Sequence, residues 1–161
     1  MLIGIISDTH DHLENTRKAL SLLKEKKVDV IIHCGDFCAP FMIDELEKTG
    51  IPVHCIFGNI DDKFLTTRKA DSSKNIKLHG ETAELEIDGK KIAVNHYPLI
   101  AESLALTGKY DLVCYGHTHK KDKRLLGKTL LINPGEIMGR FNGLSIAIYN
   151  TETGEAEHLP I

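Results

Sequence analysis

The sequence predicts an α/β protein in which two β-sheets pack face to face with helices on the outside. Three observations point there. Short apolar runs without alternation, such as Leu2 to Ile6 and Val28 to His33, read as strands covered on both faces. Helical spacing separates the first of them, and hairpin signals of the type Asp88-Gly89 take over in the second half.

Taken in order, Leu2 to Ser7 is a central strand. Asp11 and Glu14 form a D-x-x-E helix start with Asp11 as N-cap, and Leu13, Thr16, Leu20 and Leu23 recur at helical spacing up to the basic end Lys24 to Lys27. Val28 to His33 returns as a strand. Pro40 to Lys48 is a proline-initiated helix stopped by Gly50, and Ile51 to Phe57 is a third strand. Such a βαβαβ run implies parallel strands with right-handed crossovers, which put loops 8 to 10, 34 to 38 and 58 to 62 on one rim. Phe64 to Asn75 is polar and aperiodic, a surface excursion with room for one short helix. Lys77 to Ile87 and Lys91 to Asn95 make a hairpin around Asp88-Gly89, so a second sheet begins near residue 76. Pro98 to Leu106 reads as a helix and Leu112 to Tyr115 as a strand. Arg124 to Leu126 with Thr129 to Ile132 form another hairpin, Asn133-Pro134-Gly135 a turn, and Gly143 to Tyr149 with Glu155 to Leu159 the closing strands. Residues 1-161 read as a single domain with no linker, repeat or low-complexity tract.

Composition narrows the function. The net charge is -3 and Lys and Arg are interspersed with Asp and Glu, so no basic face advertises duplex nucleic acid or an anionic membrane. No stretch approaches the ~20 apolar residues of a membrane span, and Met1 leads straight into a strand, so a cytoplasmic protein is expected. Cys34, Cys55 and Cys114 lie in apolar runs and read as buried free thiols; no CxxC pair is present among the 4 cysteines.

The strand ends carry the chemistry. Asp8-Thr9-His10, Gly35-Asp36, Gly58-Asn59, Asn95-His96 and Gly116-His117-Thr118-His119 each follow an apolar run, and in α/β sheets sites assemble where such ends converge. Asp8, His10, Asp36, Asn59, His96, His117 and His119 form an oxygen- and nitrogen-only donor set. Seven donors are too many for one tetrahedral zinc but suit two divalent cations about 3.5 to 4 Å apart that share a carboxylate. Mn²⁺, Fe²⁺, Co²⁺, Ni²⁺ and Zn²⁺ all accept such donors. Any single one of these residues is more simply a turn or cap residue. His33 and His54 read as packed, hydrogen-bonded sheet histidines, and His79 and His158 receive no role. Arg140 reads as a solvated arginine, and the cluster Lys120, Lys121, Lys123 and Arg124 fits a substrate-attracting rim as well as a solvated turn.

These blocks resemble those of the calcineurin-like metallophosphoesterases. Their order and the segments Ser7-Asp8-Thr9-His10-Asp11-His12 and Asn133-Pro134-Gly135-Glu136 are most similar to the compact, cap-less phosphodiesterases of the MJ0936 and YfcE type. The resemblance runs from Met1 to about Tyr149. It implies a four-layer α/β/β/α sandwich of two mixed sheets flanked by helices. It places Asp8, His10, Asp36 and His119 around one metal and Asp36, Asn59, His96 and His117 around the other, with Asp36 bridging. It implies hydrolysis of a small phosphodiester through a hydroxide bridging two metals, with Mn²⁺ or Ni²⁺ favoured, Asn59 stabilising charge on the phosphoryl oxygens, and a homodimer or higher homo-oligomer as an assembly. One departure stands out. Many relatives read G-N-H-[DE], the histidine giving a proton to the leaving group, whereas Ile60 stands here and leaves Asp61 without that partner. His12 is the substitute candidate for general acid. Alternatives are a non-catalytic metal-binding module like a retromer subunit, a phosphomonoesterase, or a nuclease; filled ligand positions argue against the first, and short length and acidity against the last.

Overall fold

A computed structural model describes all 161 residues and has four layers. The first sheet has the order β11-β10-β1-β2-β3-β4, built from β1 (Leu2–Ile6), β2 (Val30–His33), β3 (Val53–Cys55), β4 (Ile76–Leu78), β10 (Ser145–Asn150) and β11 (Glu155–Pro160). Its strands β1 to β4 run parallel, and β10 joins β1 antiparallel. The second sheet has the order β5-β6-β7-β9-β8, from β5 (Thr82–Ile87), β6 (Lys90–Asn95), β7 (Leu112–Cys114), β8 (Lys121–Leu126) and β9 (Thr129–Pro134). Helices α1 (Leu13–Glu25), α2 (Phe41–Glu47) and α3 (Lys63–Asp71) cover the first sheet and α4 (Pro98–Leu106) the second.

Period-2 alternation sorts each strand between layers. Ile3, Ile5, Val30 and Ile32 face the other sheet and meet Ile92, Val94, Leu112 and Ile132. Ile6 and Ile31 point the opposite way, onto Leu20, Leu23 and Ile43 of the helices. Ala93, Val113 and Leu131 turn outward to Ala101 and Ala105 of α4. Three apolar seams therefore hold four layers, as the alternation of buried residues along each strand requires. Cys34, Cys55 and Cys114 are buried free thiols.

The short helix that the polar stretch left room for is α3, residues 63 to 71, capped by Asp62 accepting from the Leu65 amide and anchored by buried Thr66 and Ala70. Three expectations need correction. The run from Lys77 is not one strand: β4 ends at Leu78, the chain crosses between sheets at His79-Gly80-Glu81, and the second sheet starts at Thr82. Gly80 takes φ +81° at that crossing, a left-handed backbone that residues with a side chain disfavour. Asn133 and Pro134 complete β9 rather than forming a turn. The N-cap of α1 is His12, not Asp11, whose carboxylate instead accepts the Ala39 amide at 2.9 Å.

Candidate metal centre

Asp8, Asp36 and Asn59 follow β1, β2 and β3; His96 follows β6; His117 and His119 lie in the loop after β7. Parallel strands deliver all of these loops to one rim, and backbone bonds stitch them together. The Asp8 amide donates to Gly35 O (3.1 Å) and the His10 amide to Asp36 O (3.1 Å), so the first two loops continue the β1–β2 ladder past its end. Asp8, His10, Asp36, His117 and His119 all sit at positive φ, from 43° to 68°. Non-glycine residues rarely adopt that conformation, and its clustering on candidate ligands marks a site for which the fold holds unfavourable backbone.

Two groups of donors form. Asp8, His10 and His119 face one another, as do Asp8, Asp36 and His96. The Asp8 Oδ1 lies 3.7 Å from His10 Nε2 and 3.4 Å from His119 Nε2. Asp36 Oδ2 lies 3.5 Å from His10 Nε2 and 3.3 Å from His96 Nε2, so this one oxygen reaches toward both groups. Asn59 Oδ1 and His117 Nδ1 are 2.9 Å apart on the exposed side. All seven predicted donors therefore come to one rim. His12 is exposed, with its Nδ1 accepting the Asn15 amide at 3.4 Å.

Outer partners fix which imidazole nitrogen faces inward. His96 Nδ1 meets the Cys34 carbonyl at 2.8 Å and must donate to it, which leaves Nε2 as a bare lone pair. His119 Nδ1 meets Glu136 Oε2 at 2.7 Å, which frees Nε2 in the same way. Buried Glu136 also accepts the amides of Phe141 (2.6 Å) and Asn142 (2.7 Å). Sequence reasoning gave Glu136 no role; its only signal was its place after Asn133-Pro134-Gly135. It likewise missed Asp61, whose carboxylate accepts from Asp36 N (3.1 Å), Cys38 N (2.8 Å) and Gly58 N (2.7 Å) and binds the second loop to the third.

Asp8 Oδ1, His10 Nε2, His96 Nε2 and Ser7 Oγ are buried without a hydrogen-bond partner. Orphaned polar atoms of this kind cost about 1 to 3 kcal/mol each, and here the Asp8, His10 and His96 atoms belong to the two donor groups. A divalent cation in each group would satisfy them, so the donor set fits metal. Burial of Asp36 would raise its pKa, but the His96 imidazole holds it below the usual carboxylate range. Burial opposes protonation of His10 and His96, yet the neighbouring aspartates pull both upward. His33 is different: burial pushes it down to about 3, and it bonds Thr9 Oγ1 and the Gly35 amide as a neutral structural ring. His54 pairs with His79 (Nδ1 to Nε2, 2.8 Å), and His158 Nε2 bonds Asn133 O. Two glycines allow the approach: a Cβ on Gly58 would lie 2.6 Å from the Asp36 amide nitrogen, and one on Gly116 would lie 2.8 Å from Asp8 Oδ2.

A cleft of about 550 Å³ between Glu84, Lys91, Lys109 and Lys128 lies elsewhere and holds neither donor group. Of the basic cluster, Arg124 is committed to Glu102 and Asp122, and the Lys123 ammonium to Ala156 O. No helix is long and apolar enough to cross a membrane.

Comparison with known proteins agrees with this geometry. Residues 1–154 match the model of the calcineurin-like phosphoesterase superfamily domain. The chain is 38% identical over 161 residues to phosphodiesterase MJ0936 of Methanocaldococcus jannaschii, covering 96% of each. A solved archaeal phosphodiesterase superposes with a TM-score of 0.92 at 35% identity, covering 100% of both chains. Zinc-complexed Vps29 from Entamoeba histolytica, at 17% identity and a TM-score of 0.69 over 100% of this chain and 98% of that one, shares the fold. With the ordered motifs, the four layers and the convergent donors in agreement, the chain belongs to the calcineurin-like phosphoesterase superfamily.

Proposed function

We propose that this chain is a dinuclear metal-dependent phosphodiesterase acting on a small substrate. The observation that carries the reading is the convergence of orphaned Asp8, His10 and His96 atoms on one rim, in a chain similar along its whole length to a phosphodiesterase. Asp8, His10, Asp36 and His119 would hold one cation and Asp36, Asn59, His96 and His117 the other. The reach of Asp36 Oδ2 toward both His10 and His96 supports Asp36 as the shared ligand. The family resemblance favours Mn²⁺ or Ni²⁺, and the oxygen and nitrogen donors accept Co²⁺, Fe²⁺ and Zn²⁺ as well. Bound cations supply Lewis-acid polarisation of the phosphoryl group and an acidified water.

The remaining work falls to the protein. Glu136 and the Cys34 carbonyl orient His119 and His96, so the neutral rings turn their lone pairs inward. The Asn59 amide, whose oxygen is turned to His117, presents its NH₂ group to a phosphoryl oxygen and stabilises charge developing there. His12 Nδ1 accepts a backbone hydrogen bond, so Nε2 is the nitrogen left to carry an exchangeable proton, and the imidazolium form would be the general acid. Ile60 cannot serve, and Asp61 is committed to three backbone amides. A homo-oligomer is proposed as the assembly; exposed Phe41, Phe64 and Leu65 around the starts of α2 and α3 offer apolar surface for it.

The test is hydrolysis of bis(p-nitrophenyl) phosphate against p-nitrophenyl phosphate, on chelator-stripped protein re-supplied with Mn²⁺, Ni²⁺, Co²⁺, Mg²⁺ or Zn²⁺ in turn. Metal-restored turnover favouring the diester is expected. Metal binding without turnover of either ester would sink the reading in favour of a scaffold.

A further inference from the structure

We propose that Phe141 is a specificity-determining residue of this site, and that the substrate it selects is a phosphodiester whose non-leaving substituent is a planar aromatic group, either a nucleobase or an aryl ring. The inference rests on the phosphodiesterase reading above and deepens it.

Phe141 is 62% exposed, and a lone exposed phenylalanine ordinarily needs no explanation. This one is held at the site. Its ring stands edge-on to His119, with centroids 5.3 Å apart and planes at 82°. Its amide donates to Glu136, the same carboxylate that orients His119, and the Asn142 side chain donates to His119 O at 3.1 Å. On the other side of the loop, the Met138 amide donates to Asp8 O at 2.9 Å and Asn15 Nδ2 to Met138 O at 3.2 Å. Residues 136 to 142 are thus tied to the loops of two candidate ligands, and the ring is a fixed rim rather than a loose tip.

Arg140 lies with its guanidinium carbon 5.1 Å from the Phe141 ring centroid. The guanidinium lies over one face of a ring that is still largely exposed, so a positive charge and an aromatic surface stand together at the rim for an anionic diester. At the opposite end of the donor array, Tyr97 packs 5.2 Å from His117, and Ile60 is 43% exposed beside Asn59. Apolar and aromatic groups therefore border the polar centre at both ends. A simple alkyl diester has nothing to place on them, whereas a planar π system does.

The experiment compares three diesters with one leaving group, methyl, phenyl and thymidine-5′ p-nitrophenyl phosphate, on the Mn²⁺-loaded wild type, Phe141→Ala and Phe141→Trp. Wild type is expected to favour the phenyl or thymidine ester over the methyl ester, and which of the two it favours separates aryl from nucleobase recognition. Phe141→Ala should lose about tenfold in kcat/KM on the favoured ester relative to the methyl ester, chiefly through KM, and Phe141→Trp should retain the preference. Equal losses on all three esters, or a preference untouched by Phe141→Ala, would overturn the proposal while leaving the phosphodiesterase reading intact. No turnover of any ester by wild type would overturn both.

Discussion

Glu136 Oε2 lies 2.7 Å from His119 Nδ1 and is completely buried, although 17 residues separate the two in sequence. The pair makes His119 a better donor by fixing its tautomer, and it turns a carboxylate to which the sequence assigned no role into part of the centre.

The first prediction follows from that pair. Glu136→Gln keeps an acceptor for the imidazole N–H but weakens its polarisation, and it leaves one carboxylate fewer for the Phe141 and Asn142 amides. Mn²⁺ affinity measured by titration calorimetry should fall by about 10- to 100-fold, with little change in folded content by circular dichroism. Unchanged affinity would show that His119 needs no such partner.

Asp61 closes three backbone amides that otherwise face a buried loop junction. Asp61→Ala should lower the urea-unfolding free energy of the metal-free protein by about 2 to 4 kcal/mol and weaken metal binding as well, because the Asp36 and Gly58 loops lose their tie. A variant with wild-type stability would refute that role.

At Gly116 the space is already taken. A methyl group there would sit 2.8 Å from Asp8 Oδ2 and 3.1 Å from His96 Nδ1, besides meeting Ser7 Oγ. Gly116→Ala should therefore displace two candidate ligands at once, costing about 1 to 3 kcal/mol of stability and most of the metal content measured by mass spectrometry of the eluted ions.

The pH dependence of stability has a source far from the metal. Side-chain bonds from Arg17 (2.7 Å) and Lys48 (2.6 Å) hold Glu45 down to about 2. Because this folded value lies below the ordinary one, the linked stabilisation is complete above about pH 4.5 and disappears as pH falls toward 2. The Glu45 side chain is 8% exposed, but both cations are open to water and screened, so the contribution is about 1 kcal/mol. Glu45→Gln should flatten the stability profile between pH 4.5 and 2 in thermal scans, and an unchanged slope there would contradict the assignment.

Much of this architecture was legible because the forces behind it are local. Ile3, Ile5, Val30 and Ile32 announce buried strands by composition, and the donors after them announce a rim by position. Helix α3 was harder to see because only Thr66 and Ala70 are buried, so its exposed face carries no apolar stripe and its clearest mark is the Asp62 cap. The change of sheet at Gly80 is a tertiary choice: Ile76 to Leu78 pairs with β3 while Thr82 to Ile87 pairs with β6, and both halves look equally like strand. Glu136 and Asp61 stand in the motifs, but their roles were not legible for a related reason, since each acts on a loop that only folding brings to it. The left-handed backbone at Asp8, His10, Asp36, His117 and His119 leaves no trace in residue type beyond a tolerance for Asp and His.

The crossing between sheets divides the donors by time as well as by space. Asp8, His10, Asp36 and Asn59 precede Gly80 in the chain, and His96, His117 and His119 follow it. During synthesis the first half emerges with its acidic side chains but without the later imidazoles; the Asp8, Asp36 and His96 group can close only after residue 96, and the Asp8, His10 and His119 group only after residue 119, has left the ribosome. Capture of the cations is therefore a late event that reports assembly of both sheets, and a chain truncated before the second sheet would hold its ions weakly or not at all.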